Sequence, residues 1–235
     1  MAAWRFYNNP RVEMSELVQP LREYAWRQLA ATEAPVVMLV HDWSKLSYPG
    51  HASKRDQAQL AQENNHGYEV TTVLAVSAAD GAPLAPMEVH LKTADGVLST
   101  CDPTPPDVHH LEQVLPSMEA SRTWKLGCAA LHVIDREADS VGHFRAWHAA
   151  GHHFLVRGHD HRVVNWEGRK MSRRKITQEL EKRRVFRHCG QAVYQGRAAE
   201  LWVAETEVVL AQPADRKSTR LNSSHIQKSR MPSSA

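Results

Sequence analysis

Two aspartates each close an apolar run. Val36-Val37-Met38-Leu39-Val40-His41 leads to Asp42, and Ala129-Ala130-Leu131-His132-Val133-Ile134 leads to Asp135. Short continuous runs rich in β-branched residues read as strands buried on both faces. A carboxylate where such a strand stops lies at the rim of a sheet, where open α/β sheets build their sites. Two such carboxylates on neighbouring strands could share divalent cations. Each one singly has a plainer reading as the end of a strand or the cap of a turn, and Asp139 could likewise cap the helix that follows it.

The elements that must position the pair follow from the pattern around them. Residues 1–34 carry a helical stripe (Leu17, Leu21, Tyr24, Leu29). Strand one spans about 36–42, and a polar loop from Ser44 to Asn65 holds a short helix near Ala58–Gln62. Strand two spans about 68–77, and Asp80-Gly81 is a hairpin signal. Strand three, about 86–92, alternates Met87, Val89 and Leu91 with Glu88, His90 and Lys92, as a half-exposed edge strand does. After the Asp102–Asp107 loop a helix begins near Val108, and Pro116 should kink or divide it. Strand four is about 129–135, a helix covers 139–150 with Gly151 as its stop, and strand five is 153–157. This order predicts an α/β fold: a mixed sheet of three antiparallel strands, then alternating helices and strands. In a ribonuclease-H-like arrangement strands one and four are neighbours, and the two aspartates share one sheet end.

Composition narrows the class. Hydrophobic residues make up 42% of 235, enough for a core. Val36–Val40 is far too short to span a bilayer, and the N-terminus has no apolar signal region. Three widely spaced cysteines, Cys101, Cys128 and Cys189, suggest neither a disulfide framework nor a zinc ribbon. A cytoplasmic protein with no membrane partner is expected. The net charge of +3 is misleading, because residues 216–235 hold five basic residues and no acidic one; without them 24 basic side chains face 26 acidic ones. Real basic character is local: Arg157–Arg187 has eleven Lys/Arg and four Asp/Glu. Such a block can meet a polyanion on a nearly neutral protein.

Asp42 sits in His-Asp-Trp-Ser-Lys-Leu-Ser-Tyr, and Asp135 opens Asp-Arg-Glu-Ala-Asp 93 positions later. With Gly81-Ala82-Pro83-Leu84-Ala85-Pro86 between them, and Arg5-Phe6-Tyr7-Asn8-Asn9-Pro10-Arg11-Val12 upstream, residues 4–213 resemble the DDE transposases of the bacterial insertion-sequence-four family. The resemblance implies a ribonuclease-H-like catalytic core over 35–157 and a remnant of an N-terminal helical region over 1–34. It also implies a partial basic β-rich insertion over 158–213. Implied too are two Mg²⁺ or Mn²⁺ ions on two aspartates and a glutamate, double-stranded DNA (element ends and target) as partner, a homodimer when intact, and nucleoid association. Asp42 and Asp135 would be the catalytic metal ligands. Water would attack the backbone phosphodiester, and the freed 3′-hydroxyl would attack another strand. The residue types suit this: hard divalent ions take oxygen ligands, and a pair of ions activates the attacking oxygen and stabilises the leaving one.

The family's third carboxylate lies in Tyr-x2-Arg-x3-Glu-x6-Lys. Here Tyr194 and Arg197 keep the first spacing, but Leu201 and Val208 stand at the glutamate and lysine positions. The glutamate is therefore expected to be missing and the chain to be an inactive fragment. Arg169, Lys170, Arg173, Arg174, Lys175, Lys182, Arg183 and Arg184 are candidate phosphate contacts, or else a solvated face. Trp166 and Trp202 could stack on an extruded base or be ordinary core. Arg136 and Asp139 could support the metal ligands or cap. Among fifteen histidines, His148, His152, His153, His159 and His161 cluster, but Gly151 should separate His148 from His152 and spoil a zinc site. Residues 214–235 resemble translated sequencing adaptor and are expected to be disordered. Two other functions fit: a stand-alone ribonuclease-H-like nuclease or resolvase, and a non-catalytic DNA-binding remnant that interferes with intact transposase.

Overall fold

The computed structural model describes residues 5–6, 9, 11–32, 34–48, 50–51, 53–60 and 65–210, together with the backbone of 220–230. Parts of the N-terminal motif Arg5–Val12, of the expected helix near Ala58–Gln62 and of the 214–235 tail lie outside the described residues. The chain divides into two compact units, one of 1–138 and 149–157, the other of 139–148 and 158–235. The expected 35–157 core is interrupted in this division at 139–148. The local reason is Asp139, which is held by Arg162 and by the backbone N–H of His159.

The first unit begins with helices α1 (Met14–Leu17) and α2 (Gln19–Thr32). Its sheet contains β1 (Val36–Ser47), β2 (Ala58–Gln59), β3 (His66–Ser77), β4 (Pro83–Thr93), β5 (Gly96–Ser99), β6 (Ala129–Ile134) and β7 (His153–Val156). The strand order is β5-β4-β3-β1-β6-β7, with β2 on β3. β1, β6 and β7 run parallel; β3 is antiparallel to β1 and β4 to β3. An antiparallel meander followed by parallel strands is compatible with a ribonuclease-H-like fold. Ala25 and Leu29 of α2 join Val37, Leu39, Val73, Ala75, Ala85, Met87 and Trp124 in one core. Helix α3 (His110–Ser121) buries Gln113, Val114, Ser117, Met118 and Ser121.

Four expectations change. β1 does not stop at Asp42 but runs to Ser47, because the equally long β3 pairs with it from Val37↔Ser77 to Ser47↔Gly67. Asp42 instead marks where the parallel neighbour β6 ends. Residues 58–59 form β2, not helix, because they meet the start of β3 as Ala58↔Gly67 and Gln59↔His66. β4 is no edge strand, since β5 pairs with it from His90↔Ser99 to Thr93↔Gly96. A bulge at Met87, seen as the register step from Leu74↔Pro86 to Val73↔Glu88, reverses the alternation and turns Glu88 and His90 inward. Pro116 leaves α3 undivided: it is exposed, so the carbonyl it cannot bond is open to water.

The second unit holds α4 (Val141–Ala149), the hairpin β8 (Val163–Trp166) and β9 (Arg169–Ser172), helix α5 (Arg173–Lys182), β10 (Arg187–Tyr194), β11 (Arg197–Leu210) and β12 (Arg220–Arg230). Its strand order is β10-β11-β8-β9, with β12 on β11. α5 was hidden by charge, although Ile176 and Leu180 bury at i and i+4 and the Ser172 hydroxyl caps Lys175 N–H. Residues 220–230 depart from the disorder expected of the tail. They pair with β11 from Glu200↔Arg230 to Val209↔Arg220. A long strand edge offers a row of backbone donors and acceptors that even a polar segment satisfies.

Candidate functional site

The parallel ladder runs from Val36↔Ala129 to His41↔Ile134. Asp42 and Asp135 each directly follow the last pair of this ladder, at one end of adjacent strands. Both side chains are exposed. Asp135 is ion-paired with Arg157, whose Nη2 lies 2.7 Å from its Oδ1. Arg157 is placed by its backbone N–H, which donates to Ile134 O and extends the β6–β7 ladder by one bond.

Around the aspartates, side chains tie β1, β6 and α3 together. Glu137, in a 3₁₀ turn of Arg136–Ala138, accepts from Trp43 Nε1 at 2.8 Å through Oε2. Its Oε1 lies 3.1 Å from His110 Nε2, and His110 Nδ1 lies 3.2 Å from Glu69 Oε1. The Trp43 and His110 rings stack at 4.5 Å. The Trp43 hydrogen bond holds Glu137 below the usual carboxylate range, and the His110 bond does the same for Glu69. Burial opposes a proton on His110, but Glu69 and Glu137 outweigh it and raise its pKa. Both carboxylate oxygens of Glu137 thus have partners, Trp43 and His110.

Behind the aspartates, His41 Nε2 and His132 Nδ1 share a buried hydrogen bond of 2.9 Å. Burial lowers His41 to about 4; burial and the neighbouring His41 lower His132 to about 3. Both rings are neutral at pH 7. A second cluster, Glu88, His90 and Cys101, offers carboxylate, imidazole and thiol atoms mutually within 4.8 Å. Neither group was foreseen, because His41–His132 pairing depends on strand register and the second cluster on the bulge.

The remaining candidates separate. Asp139 has a side chain only 1% exposed, paired with Arg162 at 2.8 Å and accepting from His159 N–H at 2.7 Å, so it is a bracing residue of the second unit. Arg136 is exposed in its 3₁₀ turn. Trp166 is 1% exposed, donates to Thr206 Oγ1 at 2.7 Å and lies beneath the Arg183 guanidinium, 4.6 Å from the ring centroid. Its ring is enclosed, the core placement of its two readings. Trp202 is half-buried with His188 edge-on at 5.4 Å. Within the basic block, Arg183 grips Glu167 through two bonds of 2.6 and 2.7 Å, Lys182 pairs with Glu179, and Arg173 pairs with Asp160. Arg169, Lys170, Arg174, Lys175 and Arg184 are exposed and carry no ion pair among the described residues.

No helix among the described residues is long and apolar enough to cross a membrane. No family model and no curated protein matches the chain. Among solved structures it is similar to the Drosophila P element transposase strand transfer complex, at 13% identity and a TM-score of 0.24, over 63% of this chain and 34% of that one. The chain thus spans about a third of the length of that structure's chain, and a likeness at this score fixes neither fold nor function.

Proposed function

We propose that the first unit carries two carboxylates of a divalent-metal phosphoryl-transfer centre, and that the chain is part of a DDE-type DNA transposase with a ribonuclease-H-like core. The observation that supports this reading is the parallel β1–β6 ladder, which ends at His41↔Ile134: Asp42 and Asp135 are the residues that directly follow its last pair, and both side chains are exposed. The strand order supports it as well.

The donors fit Mg²⁺ or Mn²⁺. Two exposed carboxylates are hard oxygen ligands, and open solvent around them suits an ion that keeps several waters. When bound, such ions supply activation of an attacking oxygen and stabilisation of a leaving one at phosphorus. Asp42 and Asp135 are the residues that would hold them. In their absence Arg157 neutralises Asp135. Trp43 and Glu137 fix the turn after β6 against β1, which restrains the approach of the two aspartates. The unpaired cations of the second unit would meet phosphates, giving affinity without base reading.

One observation favours a non-catalytic role for this chain by itself. Among the described residues, no three ligand atoms mutually within 4.8 Å include Asp42 or Asp135. The nearby Glu137 has both oxygens engaged. The chain alone is therefore expected to bind metal weakly, to bind DNA and not to cut it, as an interfering remnant would. Mn²⁺ titration followed by water-proton relaxation tests the aspartate pair. Asp42→Asn and Asp135→Asn should each remove the same class of Mn²⁺ site; binding unchanged in the double variant overturns the proposal. In parallel, Mg²⁺- or Mn²⁺-dependent nicking of supercoiled DNA, lost in Asp42→Asn, would favour the stand-alone nuclease over the remnant.

A further inference from the structure

Glu88 and His90 stand two apart on β4 and so share a face, and Cys101 follows the end of β5 by two residues. Glu88 and His90 are each 2% exposed. Charged side chains are rarely buried so deeply without full pairing. Glu88 is unevenly paired. Its Oε1 meets both His90 Nε2 and the Ser117 hydroxyl, the latter at 2.5 Å, while Oε2 is buried without a hydrogen bond of good geometry and the Cys101 thiol lies close enough for the carboxylate to raise its pKa.

The neighbours are arranged as supports of a ligand set. His90 Nδ1 lies 2.9 Å from Ser99 Oγ, which fixes the ring and aims Nε2 at Glu88. Ser99 Oγ also accepts the Cys101 N–H at 2.8 Å, which fixes the backbone that carries the thiol. Metal-bound histidines are commonly held in this way through their second nitrogen.

We propose that Glu88, His90 and Cys101 form a buried site for a zinc-like divalent ion, separate from the Asp42–Asp135 pair and independent of the function proposed for that pair. The ligand atoms lie within 4.8 Å of one another. Tetrahedral zinc, with bonds of 2.0–2.3 Å, needs its ligand atoms about 3.3–3.8 Å apart. Small side-chain rotations therefore close the set. A mixed nitrogen, sulfur and oxygen donor set selects a borderline ion such as Zn²⁺ over Mg²⁺. The ion takes the place of the thiol proton of Cys101, which is released to solvent, and of the hydrogen bond between His90 Nε2 and Glu88, with the ring proton then carried on Nδ1 towards Ser99 Oγ. It meets Oε2 of Glu88 and leaves a fourth position for water. Its effect is structural: it joins β4 to the segment after β5, while Ser117 anchors the carboxylate to α3.

The test uses the whole purified chain, stripped with a chelator and then titrated with Co²⁺ and, against a chromophoric competitor, with Zn²⁺. One equivalent of Zn²⁺ per chain is expected. Co²⁺ should give a thiolate charge-transfer band in the wild type and in the Asp42→Asn/Asp135→Asn variant. The band should vanish in Cys101→Ser and persist in Cys128→Ser, with zinc affinity falling more than about tenfold in Cys101→Ser and His90→Gln. Zinc should also slow alkylation of Cys101 in the wild type but leave that of exposed Cys189 unchanged, a readout that needs no variant to fold. Absence of the band in the folded wild type, a band that survives Cys101→Ser, or alkylation of Cys101 indifferent to zinc overturns the proposal.

Discussion

Asp135 is already held by a cation, the Arg157 guanidinium. Its partner Arg157 is exposed, and so is the carboxylate. Exposed ion pairs contribute only about 0.2–1 kcal/mol. Arg157 is thus a weak competitor for the aspartate pair. Arg157→Gln should tighten Mn²⁺ binding by about 1.4- to fivefold, the equivalent of that energy range, in the same relaxation titration; weaker binding would make Arg157 a helper. Trp166 presents the opposite case. Its ring is enclosed, bonded to Thr206 and covered by Arg183. Trp166→Ala should lower stability by about 3–5 kcal/mol, read from urea unfolding of the second unit, and should change DNA affinity only as far as that unit unfolds. The sequence marked the end of β6 before Asp135, where an apolar run gives way to charge, but not the end of β1, which runs past Asp42 to Ser47. It could not separate Trp166 the base-stacker from Trp166 the core residue, since burial depends on β11 supplying Thr206 forty positions away.

At the level of elements, parallel pairing of β1 with β6 puts Leu39 opposite His132 and His41 opposite Ile134, so that His41 meets His132 on the diagonal. Element order suggested the neighbouring strands only together with a ribonuclease-H-like arrangement, since order alone does not force it. The exact partners were not legible, because register is set by the β3 ladder and by the bulge in β4. That bulge also explains why a regular alternation at Met87–Leu91 misled: one extra residue exchanges inside for outside. The histidine pair carries a pH dependence whose sign is fixed. Unfolded, each histidine takes up a proton below about 6.5; folded, His41 resists it until about 4 and His132 until about 3. The unfolded chain then binds more protons in this window, and stability rises with pH through it. Their contribution is whole above about pH 6.5 and drains away as pH falls towards 4. His41 alone accounts for about 3 kcal/mol across the window. Urea midpoints measured from pH 7 to pH 4 should decline accordingly. The double variant His41→Leu/His132→Leu should flatten the decline between pH 6.5 and 5, where few carboxylates titrate; an unchanged slope there would place its origin elsewhere.

For the molecule as a whole, the distribution of charge matters more than its sum. The +3 total conceals a basic stretch of net +7 over 157–187 against a net of −4 over the rest of the chain. The sequence showed that stretch as a count. It could not show which cations are already neutralised, because Glu167, Glu179 and Asp160 reach Arg183, Lys182 and Arg173 only once β8, β9 and α5 are folded. Those pairs leave Arg169, Lys170, Arg174, Lys175 and Arg184 for a polyanion. Each phosphate neutralised contributes about −0.9 to the slope of log K against log salt on duplex DNA. Five cations set a slope for this block of about −4 to −5, and the eight counted in sequence would set one near −7. Fluorescence anisotropy with a labelled duplex between low and moderate salt measures the difference. Lys170→Ala with Lys175→Ala should reduce the slope by about 2 for any duplex sequence, since backbone contacts carry no base reading. Arg183→Ala should leave the slope as it was and lower stability instead, because its guanidinium is occupied by Glu167 and the Trp166 ring. A slope close to zero, or one that depends on Arg183 and not on the two lysines, would remove this face from the DNA-binding account.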